Sequence, residues 1–200
     1  MEKVWLIWPG ILFFLLNASD WLSGEIIIDQ NYPTRIILYI LLYLSTGLFE
    51  ELLCRGFALT VMLEKWGMTK MGSYWAVILS SALFGCFHFI HFLLGHMSLV
   101  AAIAQATYGM FIGVFMCAIF IRNKSIYPAI ILHGLIDIVG DLRTIAVGGG
   151  INKSYITMDF LSAVICVIIV LPLFIYGLWI LRKEFGNKGE IASEAKLADC

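Results

Sequence analysis

The chain has 200 residues, of which 61% are hydrophobic, 14% aromatic and only 14% charged, and its net charge is −1. A soluble domain of this size carries about a quarter charged residues, so there are too few polar groups to coat a water-facing surface and lipid must solvate much of the chain. The near-neutral charge, without a basic patch interleaved with aromatics, argues against a nucleic-acid partner. Five cysteines with no CxxC pair and no metal-finger spacing argue against a disulfide framework.

Residues 4–16 are a short apolar stretch containing Pro9-Gly10, read as a kinked first span. The alternative is a signal peptide with Lys3 in its n-region and cleavage near Asn17-Ala18-Ser19. Five further segments, 35–63, 73–94, 98–121, 126–147 and 158–181, approach or exceed the roughly 20 apolar residues that a helix needs to cross the hydrocarbon core. The fold class expected is all-α, a polytopic transmembrane helix bundle of about six spans. Cys54, Cys86, Cys117 and Cys166 fall inside these apolar runs, where a thiol acts as a small core hydrophobe. Residues 1–181 are expected to form a single membrane-embedded domain, and 182–200 a polar cytoplasmic tail.

Lys and Arg collect on the cytoplasmic side of membrane helices. With six spans, one side receives Lys3, Lys65, Lys70, Arg122, Lys124, Arg182, Lys183, Lys188 and Lys196, and the other only Arg35, Arg143 and Lys153. Both termini are therefore expected in the cytoplasm. Arg55 belongs to neither set, because it lies within a span.

Phe49-Glu50-Glu51-Leu52-Leu53-Cys54-Arg55 places three ionisable groups inside the segment 35–63. Each costs on the order of 3 kcal/mol near the bilayer centre, a heavy penalty for a helix that need only span. Glu51 and Arg55 stand at i, i+4 with the carboxylate first, the favourable order for an ion pair. Glu50 projects about 100° away and is left for other work. The bland reading is a structural salt bridge at a helix contact. Phe84 and His88 lie in the next segment, with His91 one turn on. His133 and Asp137 share a face of the segment 126–147. A lone intramembrane histidine is usually a packing residue, but ionisable groups on three separate spans point to the bundle interior and to one another. Counted from the cytoplasmic helix ends, the depths of Glu50, His88 and His133 agree within roughly 12 Å, which permits one cavity. His91 and His96 lie toward the outer end and read as interface residues.

Glu50-Glu51-x-x-x-Arg55, Phe84-x-x-x-His88 and His133-x-x-x-Asp137, in this order on successive apolar segments, resemble the CAAX-protease and bacteriocin-processing (CPBP, or Abi) family of intramembrane peptidases. The resemblance covers a motif core of about 45–140. It implies an intramembrane endopeptidase in which Glu50 and His88 activate the attacking water, while His133 and Asp137 stabilise the oxyanion or orient the site. Glu51, Arg55 and Phe84 would be supporting residues. The third motif ends in Asp137, where prenyl endopeptidases often carry Asn.

The residues fit that reaction class, since amide hydrolysis needs a base, a proton for the leaving amine and oxyanion stabilisation. No G-x-S-x-G elbow is present, and Cys54 has no histidine nearby in sequence. No cofactor is expected; were a zinc ion held, Glu50, His88 and His133 would be its ligands. The expected partners are a peptide or lipidated-protein substrate and membrane lipid, with CaaX tails and bacteriocin or leader peptides as the two substrate types. The short length and compact loops suit a prokaryotic cell membrane. The competing readings are a noncatalytic bacteriocin-immunity or scaffold protein, and a transporter, against which the lack of an inverted repeat argues.

Overall fold

The computed structural model describes residues 7–149 and 157–186. Among them the chain is built from helices, with a single isolated antiparallel bridge between Ile28 and Ala146. In chain order these are α1 (Trp8–Asn17), α2 (Ser19–Leu22), α3 (Pro33–Glu51), a π-helical stretch (Leu52–Leu59), α4 (Thr60–Trp66), α5 (Lys70–Phe87), α6 (Phe89–Leu93), α7 (Leu99–Asn123), α8 (Tyr127–Gly140), a 3₁₀ turn (Leu142–Ile145) and α9 (Phe160–Phe185).

Among the described residues, four helical runs are long and apolar enough to cross a membrane: Pro33–Trp66, Lys70–Leu93, Leu99–Asn123 and Phe160–Phe185. Trp8–Asn17 and Tyr127–Gly140 are apolar but shorter, so the count of full-length spans is lower than the sequence suggests. In the segment 126–147 the helix stops at Gly140. There Asp141 leaves helical geometry and its carboxylate accepts hydrogen bonds from Tyr43 (2.7 Å) and Thr144 (2.7 Å). The last helix runs beyond the boundary expected at 181. Phe185 is buried edge-on against Tyr74, so the first residues assigned to the tail belong to the bundle. The remainder of that tail, 187–200, lies outside the described residues.

Helix ends carry their usual signals. Pro9, Pro33 and Pro128 stand in first turns, where a missing N–H is harmless. Thr69 and Ser98 cap α5 and α7 by accepting the N–H of Gly72 and Ala101. Asp159 caps α9 and accepts from both the hydroxyl and the N–H of Ser162, which holds its carboxyl below the ordinary aspartate value.

Helix α7 occupies the centre, packed along α5 on one side and α9 on the other, while α3 packs along α8. In lipid the helices gain little from hydrophobic association, so close approach depends on small residues. Gly113 of α7 faces Ser81 of α5, where a Cβ would sit 2.9 Å from that of Ser81, and Gly177 of α9 lies against the backbone of Phe115. Gly47 of α3 meets Gly134 of α8 back to back, and a Cβ on Gly47 would fall 2.9 Å from the Gly134 nitrogen. Gly10 lets α1 lie against Leu132 and Phe115, so α1 is an integral part of the bundle.

Gly47→Ala is therefore expected to destabilise the protein by about 1–3 kcal/mol through overpacking, read as a lowered unfolding midpoint in detergent. Gly56→Ala, whose added carbon meets nothing nearer than 3.5 Å, should be neutral or gain up to about 1 kcal/mol from helix propensity.

Candidate active site

The contact between Gly47 and Gly134 sets the separation of the two helices that carry the carboxylates and His133. One turn after Gly47, Glu51 is fully buried, and its Oε1 accepts from Arg55 Nη1 at 2.8 Å. The same oxygen lies 2.9 Å from His133 Nδ1, across 82 residues of chain. An anionic carboxylate accepts only, so its contact with Nδ1 places a proton on that nitrogen. The other ring nitrogen is thereby directed at Glu50 (Nε2 to Oε2, 3.6 Å) and Asp137 (Nε2 to Oδ2, 3.4 Å).

Arg55 is also fully buried, and the π-helical stretch around it accounts for its placement. An extra residue per turn widens the helix and shifts the face that follows. Thr60 closes the widened turn by donating to the Arg55 carbonyl at 3.0 Å, and Ser80 of α5 donates to the Cys54 carbonyl at 2.7 Å. The guanidinium lies 4.6 Å over the Phe84 ring, a cation–π contact that partly offsets its desolvation. Arg55 Nε and Nη2 have no hydrogen-bond partner among the described residues.

Phe84 stands between the two histidines. Its ring is edge-on to His88 (centroids 5.6 Å apart) and to His133 (5.4 Å). His88 lies at the break between α5 and α6, where its imidazole meets the backbone of Gly109; a Cβ there would be 3.3 Å from the ring.

Glu50, His88, His133 and Asp137 all line one cavity of about 590 Å³, together with Phe84. Glu51 and Arg55 lie behind this wall. Glu50 and His88 share the cavity, but the imidazole nearest Glu50 is that of His133 rather than His88. Among the described residues no three His, Cys, Asp or Glu side chains converge on a point that would hold a metal ion, Glu50, His88 and His133 included. His91 is exposed at the cavity rim, and Cys54 is buried away from it.

The cavity also contains residues that the motifs did not mark: Tyr43, Thr46, Gln105, Tyr108 and Asp141. Gln105 and Tyr108 stand one turn apart on α7, and the Gln105 carbonyl oxygen is buried without a partner among the described residues. The signal for Gln105 was an amide inside an otherwise apolar span. Asp141 offered the same kind of signal, an ionisable group inside the segment 126–147, although the helix itself ends one residue before it.

A family model described as type II CAAX prenyl endopeptidase Rce1-like matches residues 32–139. The chain belongs to this family. Residues 32–139 begin just before α3 and end within α8, so they take in all three motif helices and the cavity wall they form. This is the CAAX-protease grouping within CPBP, and with the apolar helices it makes the chain an integral membrane protein of a protease family. No curated protein and no solved structure matches the chain.

Replacing Arg55 by Met leaves Glu51 buried with a lone positive neighbour at His133, and should destabilise the fold by about 3–5 kcal/mol. The double variant Arg55→Met, Glu51→Gln removes the stranded charge and should recover much of that loss, as measured by unfolding midpoints in detergent.

Proposed function

We propose that the chain is a metal-independent intramembrane endopeptidase in which Glu50 activates the attacking water. The observation that carries this is the division of labour between adjacent carboxylates. Glu51 is buried and committed to Arg55 and His133, while Glu50 lines the cavity within reach of the opposite ring nitrogen.

Glu50 removes a proton from water as its oxygen attacks the peptide carbonyl, and the carbonyl π pair moves onto the carbonyl oxygen. Backed by Glu51 at Nδ1, the His133 ring holds a proton at Nε2 and donates it as a hydrogen bond to the developing oxyanion. Asp137, 3.4 Å from that nitrogen, fixes the ring plane. This assigns Asp137 an orienting role and keeps its charge from acting on the oxyanion alone. Collapse of the tetrahedral intermediate breaks the C–N bond, and the amine takes the proton that Glu50 removed from water, which returns Glu50 to its carboxylate, while His88 lines the same cavity on the far side of Phe84. No step calls for a metal, and the donor set does not converge on one.

The substrate is a peptide or prenylated protein, as membership of the CAAX-endopeptidase family implies. The large apolar share of the cavity wall, including Phe13, Leu16, Ile112, Met116 and Ile169, suits a hydrophobic segment beside the scissile bond.

Glu50→Gln keeps size and hydrogen bonding but removes the base. Purified protein in detergent should lose peptide cleavage by about 10²–10⁴-fold while keeping its unfolding midpoint and its binding of the uncut peptide. Wild-type turnover should persist in excess chelator. Loss in chelator with restoration by zinc would transfer Glu50, His88 and His133 to a metal site. Unchanged biological activity in Glu50→Gln would point instead to a noncatalytic immunity or scaffold role.

A further inference from the structure

The cavity does not sit midway along the bundle. Its lining residues stop at Glu50 on the helical run that ends at Trp66, begin at Phe84 on the helix that starts at Lys70, and stop at Met116 on the helix that ends at Asn123. They begin at His133 on the helix that starts at Tyr127 and stop at Val170 on the helix that ends at Phe185. Every helix therefore contributes its same end. The opposite half is filled by packed side chains, among them Leu59, Val77, Cys117, Ile119 and Leu181, each fully buried. None of the residues that line the cavity comes from that half.

The closed half is also the basic half. Lys65, Lys70, Arg122, Lys124, Arg182 and Lys183 all lie at or beyond its helix ends, against Glu64 and Glu184. The open end carries Asp20, Glu25, Asp29, Asp141 and Asp159 against Arg35 and Arg143. Both of these arginines are engaged: Arg143 pairs with Asp20 at 3.0 Å, and Arg35 donates to the Thr144 carbonyl. These contacts, with the Ile28–Ala146 bridge, tie the segment after α1 to the segment after α8 and so fix the rim. Asn17, His91 and Asp141 line the cavity at that rim, and Gln105 and Tyr108 lie between it and the catalytic groups.

Loops rich in Lys and Arg stay in the cytoplasm. We propose that the cavity opens on the extracytoplasmic face and that its substrate is an extracytoplasmic polypeptide, either exported or anchored with its scissile bond outside. This narrows the peptide-or-prenylated-protein reading to peptides, because a prenylated C-terminal tail presented from the cytosol would meet the packed, basic half. The side on which the cavity opens follows from charge and packing alone; the claim about the substrate rests on the peptidase reading of the site.

Two measurements separate these components. In a variant with the five native cysteines replaced by serine, Met158→Cys at the cavity and Ser19→Cys at the rim are compared with Lys65→Cys and Lys124→Cys. Intact and lysed cells are treated with a membrane-impermeant maleimide. Met158→Cys and Ser19→Cys should label equally before and after lysis, and Lys65→Cys and Lys124→Cys only after lysis. The reverse pattern overturns the proposal. The second measurement needs no cysteine replacement. Right-side-out and inverted membrane vesicles carrying wild type or Glu50→Gln are given an impermeant quenched-peptide library. Glu50-dependent cleavage should appear in right-side-out vesicles and reach inverted ones only after permeabilisation. Cleavage confined to intact inverted vesicles overturns the proposal. The expected labelling with no Glu50-dependent cleavage on either side, even after permeabilisation, would overturn the peptidase reading and the substrate claim together and leave the side of the opening standing.

Discussion

One carboxylate oxygen holds the site together. Glu51 Oε1 receives the Arg55 guanidinium from its own helical run and the His133 ring from α8, and both partners are at most marginally exposed. A charge so far from water is tolerable only when it is closely paired, and the pairing runs through this one oxygen, since Glu51 Oε2 has no hydrogen-bond partner among the described residues. Much of the local architecture serves that pairing. The π-helical stretch sets Arg55, Phe84 covers its guanidinium, and Gly113 leaves room for its Nη2, which a Cβ would approach to 3.2 Å. Gly47 and Gly134 bring α3 and α8 close enough for the histidine to reach across.

The same arrangement explains why two adjacent glutamates are needed. On a helix, neighbours point in different directions, so consecutive carboxylates can face opposite sides of one wall. Glu51 turns into the protein and becomes part of the scaffold, while Glu50 turns into the cavity. A ring held by a carboxylate at one nitrogen presents the other in a fixed direction, which is how an orienting partner prepares a histidine for chemistry. His133 thus connects the buried network to the cavity.

Much of this was legible in the sequence, and the limits have physical causes. The helical, membrane-embedded class followed from composition, and the Glu51–Arg55 pair from i, i+4 spacing. That ionisable groups on three spans should face one another followed from the cost of burying them in lipid. The bond between Glu51 and His133 was not legible, because nothing local encodes a contact between residues 82 apart. The pairing read from the motifs set Glu50 with His88, whereas helix packing brings His133 nearer. The π-helical stretch was hidden as well. Leu52–Leu59 has an ordinary helical composition, and its widening depends on Ser80 of another helix accommodating a displaced carbonyl. The break at His88 and the early end of α8 at Gly140 are likewise tertiary outcomes, the latter tied to Tyr43 bonding Asp141.

The most direct test is the protonation of the His133 ring, observed by nitrogen-15 NMR of histidine-labelled protein in detergent, with the signal assigned by its loss in His133→Asn. The account predicts that Nδ1 carries its proton throughout the range in which the protein is folded, and that this signature is lost in Glu51→Met, which removes the acceptor. A ring protonated at Nε2 alone, with Nδ1 bare, would contradict it. In that case Glu51 would not be the residue that orients the site, and the separation of roles between the two glutamates would fail.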